Sequence, residues 1–138
     1  MFARRKIPKG TRIIEYKGKR RPVADLFGER AEGKPAPVYA MRLDESTVVD
    51  AAIRGDESRF INHGCEPNCE VYAFDERLYI YAMRDIARGE ELTFDYQLRS
   101  ASGSTTGKNP DETAYLCHCG ARNCRGTMLA RTRRKPKR

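Results

Sequence analysis

The sequence predicts a mostly β fold built from many short strands with little helix. Three observations point there. β-Branched and aromatic runs recur in short pieces, each bounded by Gly, Pro or Asp-rich turns. Only one stretch is long enough and free enough of breakers to be helical. No internal repeat or sustained 3.6-residue periodicity competes with that reading.

In order, Thr11 to Lys17 is β-branched and ends at Gly18, which predicts a strand and a turn. Ala24 to Glu32 is the single short helix, weakened by Gly28. Pro35 and Pro37 then interrupt the chain. Val38 to Leu43 and Thr47 to Val49 read as strands around an Asp44-Glu45-Ser46 turn, and Glu57 to Asn62 as one helical turn. Glu70 to Phe74 and Leu78 to Met83, joined by Asp75-Glu76-Arg77, read as a hairpin, and Glu91 to Tyr96 as a last strand. Residues 99–116, rich in Ser, Gly and Thr, read as a flexible linker between a body over 1–98 and a cysteine-rich unit over 117–129, with a basic tail at 130–138.

At 138 residues the chain is expected to form one compact body around a modest core. A mean hydropathy of −0.75 and 33% charged residues fit a soluble protein, and no apolar run approaches a membrane span. The N-terminus has no apolar signal region. The formal charge is +8, but Arg131 to Arg138 hold six Lys or Arg and no acid, which leaves +2 for residues 1–130. Such a tail is a solvated segment, a nucleic-acid contact or a nuclear address, and without aromatics it is a poor base-stacking element. The near-neutral body is expected to be monomeric.

Five cysteines without a secretion signal read as metal ligands before disulfides. Cys117, Cys119 and Cys124 form a C-x-C-x4-C knot with Gly, Arg and Asn between them. Tetrahedral zinc wants four S or N donors, and three leave one position open. Cys65, Cys69 and His118 are the candidates, with His118 strained by lying between two ligands. Spacing does not separate Cys65 from Cys69. A ligand from either would fold the C-terminal unit onto Asn62-His63, as a lid over a site.

The run Arg59-Phe-Ile-Asn-His-Gly-Cys-Glu-Pro-Asn-Cys69, followed by Gly89-Glu-Glu-Leu-Thr-Phe-Asp-Tyr96 and the cysteine knot, resembles the SET-domain protein-lysine methyltransferases. Tyr39-Ala-Met-Arg-Leu-Asp, Val48-Val-Asp-Ala and Ile14-Glu-Tyr-Lys-Gly18 extend the likeness, at the spacing of the trithorax-like branch, over nearly residues 2–129. The resemblance implies a SET fold of several small sheets, with Asn62-His63 and Phe94-Asp95-Tyr96 in a pseudoknot-like core and a zinc-bound C-terminal lid. It selects Cys65 as the fourth zinc ligand, beside Cys117, Cys119 and Cys124, and leaves Cys69 free. It implies S-adenosylmethionine as cofactor, held by Tyr39, Arg59, Asn62, His63 and His118, with Met128 and Leu129 packed on its adenine. Tyr96 would be catalytic, and Tyr16 and Phe94 would line the lysine channel.

The implied substrate is a lysine in a basic peptide or protein of histone type. Phe94 falls at the family's Phe/Tyr switch and implies di- or trimethylation. The residue-by-residue alternatives are core packing for Tyr16 and Phe94, and a turn before Pro67 for Asn62-His63. Asp44, Glu45, Asp56 and Glu57 read as solvated charges. A Gly-x-Gly loop that the family carries ahead of the position of Phe2 is outside this sequence, which implies an incomplete cofactor cradle and an exposed sheet edge. A SET-like peptide-binding module without activity and a zinc-stabilised nucleic-acid binder are therefore the competing readings. The tail's Lys135 or Lys137 would be a possible self-substrate. The short, Arg- and Ala-rich chain points to a cytoplasmic microbial protein; a eukaryotic setting would make it nuclear.

Overall fold

The computed structural model describes residues 1–32, 39–98 and 115–130. Eight short strands form three small sheets with one helix between them. Strand β1 (Arg12–Glu15) pairs antiparallel with β7 (Arg77–Ala82), which pairs in turn with β6 (Cys69–Phe74). A second sheet has β4 (Thr47–Asp50) between β2 (Lys19–Pro22) and β3 (Ala40–Arg42). In the third, β5 (Asn62–His63) runs parallel to β8 (Thr93–Phe94). The helix α1 (Val23–Ala31) follows β2 directly, with Asp25 in its first turn, where a carboxylate suits the helix dipole.

The β6–β7 hairpin is the longest pairing and follows the sequence closely. Its turn is two residues, Asp75 and Glu76, both at positive φ (50° and 59°) as the primed hairpin turns demand. An Arg20 guanidinium donates to the Glu76 carbonyl and braces the turn. Strict alternation then divides β7: Leu78, Ile80 and Ala82 are buried, while Arg77, Tyr79 and Tyr81 face the other way. The buried set meets Tyr16, Val49, Ile61, Ile86, Leu92 and Phe94 in one core.

Two expectations need correction, and one strand was not foreseen. Lys19–Pro22 is a strand, although Lys-Arg-Arg-Pro has no β-branched residue; its register against Thr47–Asp50 supplies the pairing. Gly18 makes the approach possible, since a Cβ there would lie 2.4 Å from the Asp50 carbonyl oxygen. The strand expected over Glu91 to Tyr96 is only Thr93–Phe94, with Glu91 forming an isolated bridge to Phe2. Glu57 to Asn62 splits into a 3₁₀ turn, Glu57–Phe60, capped by the Asp56 carboxylate on the Ser58 N–H, and the first residue of β5. The remaining strands and α1 fall within a few residues of their expected places.

Residues 33–38, most of the 99–116 linker and the 131–138 tail, with Lys135 and Lys137, lie outside the described residues. Tyr115 and Leu116, at the far end of the linker, already pair with the C-terminal unit: Met128 N–H donates to the Tyr115 carbonyl at 2.8 Å, and Leu116 bridges Thr127. Among the described residues no helix is long and apolar enough to cross a membrane.

Ile80, at 0% exposure in the central strand, is expected to be the most sensitive core position tested by truncation. Ile80→Ala should cost about 2–5 kcal/mol in urea unfolding of the metal-loaded chain.

Candidate active site and metal centre

The site is assembled where β5 lies beside β8. Asn68 stabilises this crossing from one side, its amide donating to the Glu91 carbonyl (2.8 Å) and its oxygen accepting from Thr93 N–H (3.0 Å). A Cβ on Gly64 would sit 2.8 Å from Thr93 Oγ1, so the approach of the two segments relies on glycine. His63 is buried here, and its Nδ1 accepts the backbone N–H of Tyr96 at 3.1 Å. That bond fixes the tautomer: Nδ1 is the acceptor, so Nε2 carries the proton and points it at Cys65 Sγ, 3.3 Å away. Burial holds the His63 pKa below its ordinary value, against the opposing pull of Asp95.

Cys65, Cys117, Cys119 and Cys124 converge, with their four sulfurs within 4.8 Å of one another. The Cys65 sulfur is 3.7 Å from that of Cys117 and 4.0 Å from that of Cys124. A regular tetrahedron with zinc–sulfur bonds of about 2.3 Å has sulfurs about 3.8 Å apart, so the cluster is already of the right size. Backbone N–H groups of Arg125 and Gly126 point at the Cys65 and Cys124 sulfurs, each at 3.4 Å, as suits thiolates. Hydrogen bonds from the backbone of Cys65 and Ala121 pull Cys119 down to about 6, while burial pushes Cys117 up to about 12. Crowded thiols of this kind ionise together only around a cation. Cys69 stands apart, 1% exposed with its sulfur 3.3 Å from Asn68 Oδ1, and burial raises it to about 11. Of the two cysteines that spacing left open, Cys65 lies in the cluster of four sulfurs and Cys69 does not. His118 is exposed between its two cysteines.

The aromatic residues gather about Tyr96, whose ring meets that of His63 edge to face at 5.4 Å. Phe94 is buried with its ring centroid 4.8 Å from that of Tyr96. Tyr96 donates its hydroxyl to the Ile61 carbonyl at 2.5 Å, and Tyr16 donates to the Tyr39 carbonyl at 2.8 Å. Burial pushes Tyr96 up to about 12 and Tyr16 higher still. Arg59 lies over the Phe60 ring (4.8 Å) and near that of Tyr39 (5.9 Å), and its Nε is buried without a hydrogen-bond partner among the described residues. Asn62 is exposed and donates to Glu91 Oε1 (2.8 Å). A cleft of about 430 Å³ between Glu15–Arg20 and the β6–β7 turn has Tyr16 on its wall, with Glu15, Lys17, Arg54 and Glu76. It is separate from the Asn62-His63 segment.

The C-terminal unit docks by backbone and by charge. Leu98 N–H donates to the Met128 carbonyl and Ala130 N–H to that of Leu98, which lays Met128 and buried Leu129 alongside Leu98, two residues beyond Tyr96. Arg125 forks onto both Asp95 oxygens, at 2.8 and 3.0 Å, and also reaches the Leu129 carbonyl at 3.3 Å. Sequence reasoning gave this pair no role. Its only sequence signal is that opposite charges flank the two motifs, Asp95 before Tyr96 and Arg125 after Cys124. Although burial alone would raise it, the Arg125 guanidinium and the Gln97 N–H hold the Asp95 carboxyl below the usual range. Expected site residues from four separate stretches are therefore brought together around β5 and β8, while His118 stays at the surface.

A SET-domain family model matches residues 1–97. The chain is 42% identical over 135 residues to "Histone-lysine N-methyltransferase trr" of Drosophila melanogaster, covering 93% of this chain and 5% of that protein. It is 42% identical over 123 residues to "Histone-lysine N-methyltransferase, H3 lysine-4 specific" of Saccharomyces cerevisiae, covering 84% and 11%. Against human "Histone-lysine N-methyltransferase 2B" it is 39% identical over 131 residues, covering 91% and 4%. The chain thus spans a small fraction of each relative's length. All three come from eukaryotes, and the comparisons give no support to a cytoplasmic microbial setting.

Two outcomes check the geometry. Metal analysis of purified protein should find about one zinc per chain, lost in Cys65→Ser and retained in Cys69→Ser. Arg125→Ala should cost about 1.5–3 kcal/mol in thermal or urea unfolding, because it strands the Asp95 carboxylate.

Proposed function

The chain belongs to the SET-domain family, in its trithorax-like branch, and from that premise we propose that it transfers methyl groups from S-adenosylmethionine to lysine in histone-like basic tails. The observation that carries the reading is the joining of Tyr96 to His63 and Cys65 by hydrogen bonds around one strand crossing. The relatives are named for this chemistry, and the geometry supports it for these residues. A nuclear setting follows from the same proposal.

The residues present suit the cofactor. Arg59 has a buried Nε with unused hydrogen-bonding capacity, flanked by the rings of Tyr39 and Phe60. Asn62 adds an exposed amide, and Met128 and Leu129 add apolar surface beside Leu98. These, with His63 and His118, are the proposed contacts. When bound, S-adenosylmethionine supplies an electrophilic methyl group on a sulfonium. One zinc, held by Cys65, Cys117, Cys119 and Cys124, would fix the C-terminal unit against the site.

A lysine must arrive as the free amine. At pH 7 its deprotonation costs about 4–5 kcal/mol from a pKa near 10.4. Tyr16, Phe94 and Tyr96 make an aromatic, largely dehydrated wall, and such surroundings disfavour the ammonium. The proton leaves to solvent, which frees the nitrogen lone pair to take the methyl group that the bound cofactor would supply, with the thioether as its leaving group. Neither tyrosine is a base near neutral pH, since burial raises both. The Tyr96 proton is committed to the Ile61 carbonyl, which leaves its oxygen to accept from the incoming nitrogen and to orient it. Alignment of this kind is worth up to about 7–11 kcal/mol.

Phe94 places no hydroxyl beside Tyr96, so space that a tyrosine oxygen would fill is open to a second and third methyl.

Radiolabelled methyl transfer to core histones by the zinc-loaded chain tests the proposal; no incorporation into histones or total cell protein would overturn it. Tyr96→Phe should lower kcat by roughly 100-fold or more, as removal of a positioned polar group at a reacting centre does. Intact-mass analysis at saturating cofactor should show di- or trimethyl product, and Phe94→Tyr should halt at monomethyl.

A further inference from the structure

The outer face of the β1–β7–β6 sheet carries a group of side chains that the active site does not use. Register places Tyr72 opposite Tyr79, Glu70 opposite Tyr81, and Phe74 opposite Arg77, all on the face away from Ile80 and the core. Arg12, opposite Tyr81, joins them from β1. Tyr72 and Phe74 are 53% and 63% exposed, an unusual outlay of large rings on one solvent face. Tyr72 meets Tyr81 edge to face at 5.8 Å. The Arg12 guanidinium lies 4.0 Å from the Tyr79 ring, 5.5 Å from Tyr81 and 5.8 Å from Phe74, and its Nε donates to the Tyr81 hydroxyl at 2.8 Å.

Charge is distributed unevenly around these rings. Residues 1–12 carry Arg4, Arg5, Lys6, Lys9 and Arg12, all exposed, and no acid. This basic run enters the sheet at the Tyr81 end, since Gly10 N–H donates to the Ala82 carbonyl and Ala82 N–H to that of Thr11. Asp85 offsets part of the basic run, pairing with Lys6 at 4.0 Å and accepting the Lys9 N–H, and one acid of the face, Glu15, pairs with Arg77 at 3.9 Å. The other, Glu70, stands beside the Tyr72 hydroxyl on β6, the strand across the sheet from β1. A polyanion is thus attracted along the β1 side and the N-terminal run, and repelled from the β6 edge. Flat rings on an antiparallel sheet, bordered on one side by cations, match the chemistry of unpaired bases joined by phosphates.

We propose that this face binds single-stranded nucleic acid, with bases stacked on Tyr72 and Phe74, phosphates on Arg4 to Lys9, and Arg12 between the two. A duplex would offer no exposed base face to the rings. The site is on the opposite side of the sheet from Tyr16, Phe94 and Tyr96, and it is independent of the 131–138 tail and of the methyl-transfer reading.

The test is fluorescence anisotropy of the zinc-loaded full chain with labelled oligo-U RNA and oligo-dT of about 15 nucleotides, a length that spans one stacking platform and its phosphate track. Tyr72→Ala with Phe74→Ala should weaken binding roughly tenfold or more, since each stacked base contributes a factor of about five to a hundred. Replacing Arg4, Arg5, Lys6 and Lys9 by Gln should flatten the salt dependence of Kd. Both sets are exposed, so folding, read by zinc content and thermal unfolding, should be retained, and methyl transfer to a short histone peptide should be unchanged by the ring variant. Equal affinity for duplex, binding unaffected by the ring substitutions but abolished by Gln at Arg131, Arg133, Arg134 and Lys135, or no oligonucleotide binding at all would each overturn the proposal. A protein partner lost with the same ring variant, in the absence of oligonucleotide binding, would overturn it in favour of a protein-docking face.

Discussion

His63 is held by its near neighbour Cys65 and by the distant segment that carries Phe94 and Tyr96, and most of the architecture serves to keep it there. Its Nδ1 takes the Tyr96 N–H, its Nε2 proton meets the Cys65 sulfur, and its backbone lies in register with Phe94. The imidazole is therefore a neutral bridge between the strand that ends at the proposed catalytic tyrosine and the cluster of thiols. A ring so placed transmits geometry in both directions, because a shift of the metal ligands moves Nε2 and a shift of β8 moves Nδ1. The small sheets around it are individually too short to be stable alone. They gain by meeting in one core, where Tyr16, Ile61, Ile80 and Phe94 come from four different stretches of the chain.

The second clasp is electrostatic. Asp95 and Arg125 join the residue before Tyr96 to the residue after Cys124, in a two-point arrangement with both partners mostly out of water. A forked carboxylate–guanidinium contact constrains angle as well as distance. The thiols fix where the C-terminal unit sits; the fork fixes how it is turned, and Leu98 beside Leu129 fixes its depth. The proposed adenine-side residues Met128 and Leu129 are thus set by three different kinds of interaction. Near the reacting centre the opposite policy holds. Tyr16 and Tyr96 spend their protons on backbone carbonyls.

Local signals made part of this legible. The β6–β7 hairpin announced itself through alternation and an Asp-Glu turn, and the cysteine knot through spacing that no ordinary core would use. Lys19–Pro22 was illegible because its strand character comes wholly from the partner strand β4, a tertiary effect on a sequence with no propensity of its own. The final strand was overestimated because Glu91 to Tyr96 alternates well, yet only two of its residues find a parallel neighbour in β5. The fourth thiol could not be chosen from spacing, since Cys65 and Cys69 are one short turn apart; burial against Asn68 removes Cys69. The fork between Asp95 and Arg125 spans 30 residues and has no local pattern at all.

The crossing of β5 and β8 also bears on how the chain reaches its final shape. Tyr96 bonds back to Ile61 across 35 positions, and the Cys65 and Cys117 sulfurs meet across 52. Contacts of that range are slow to form, because a large loop must close before any of them is rewarded. On a ribosome, the 61–65 segment would emerge well before either of its partners and wait unpaired. Cys65 is then the exposed member of an unfinished site, open to stray oxidation or to a passing metal until Cys124 arrives. Under the proposed zinc assignment, the supply of metal during synthesis becomes a determinant of yield, separate from any part it has in the finished molecule.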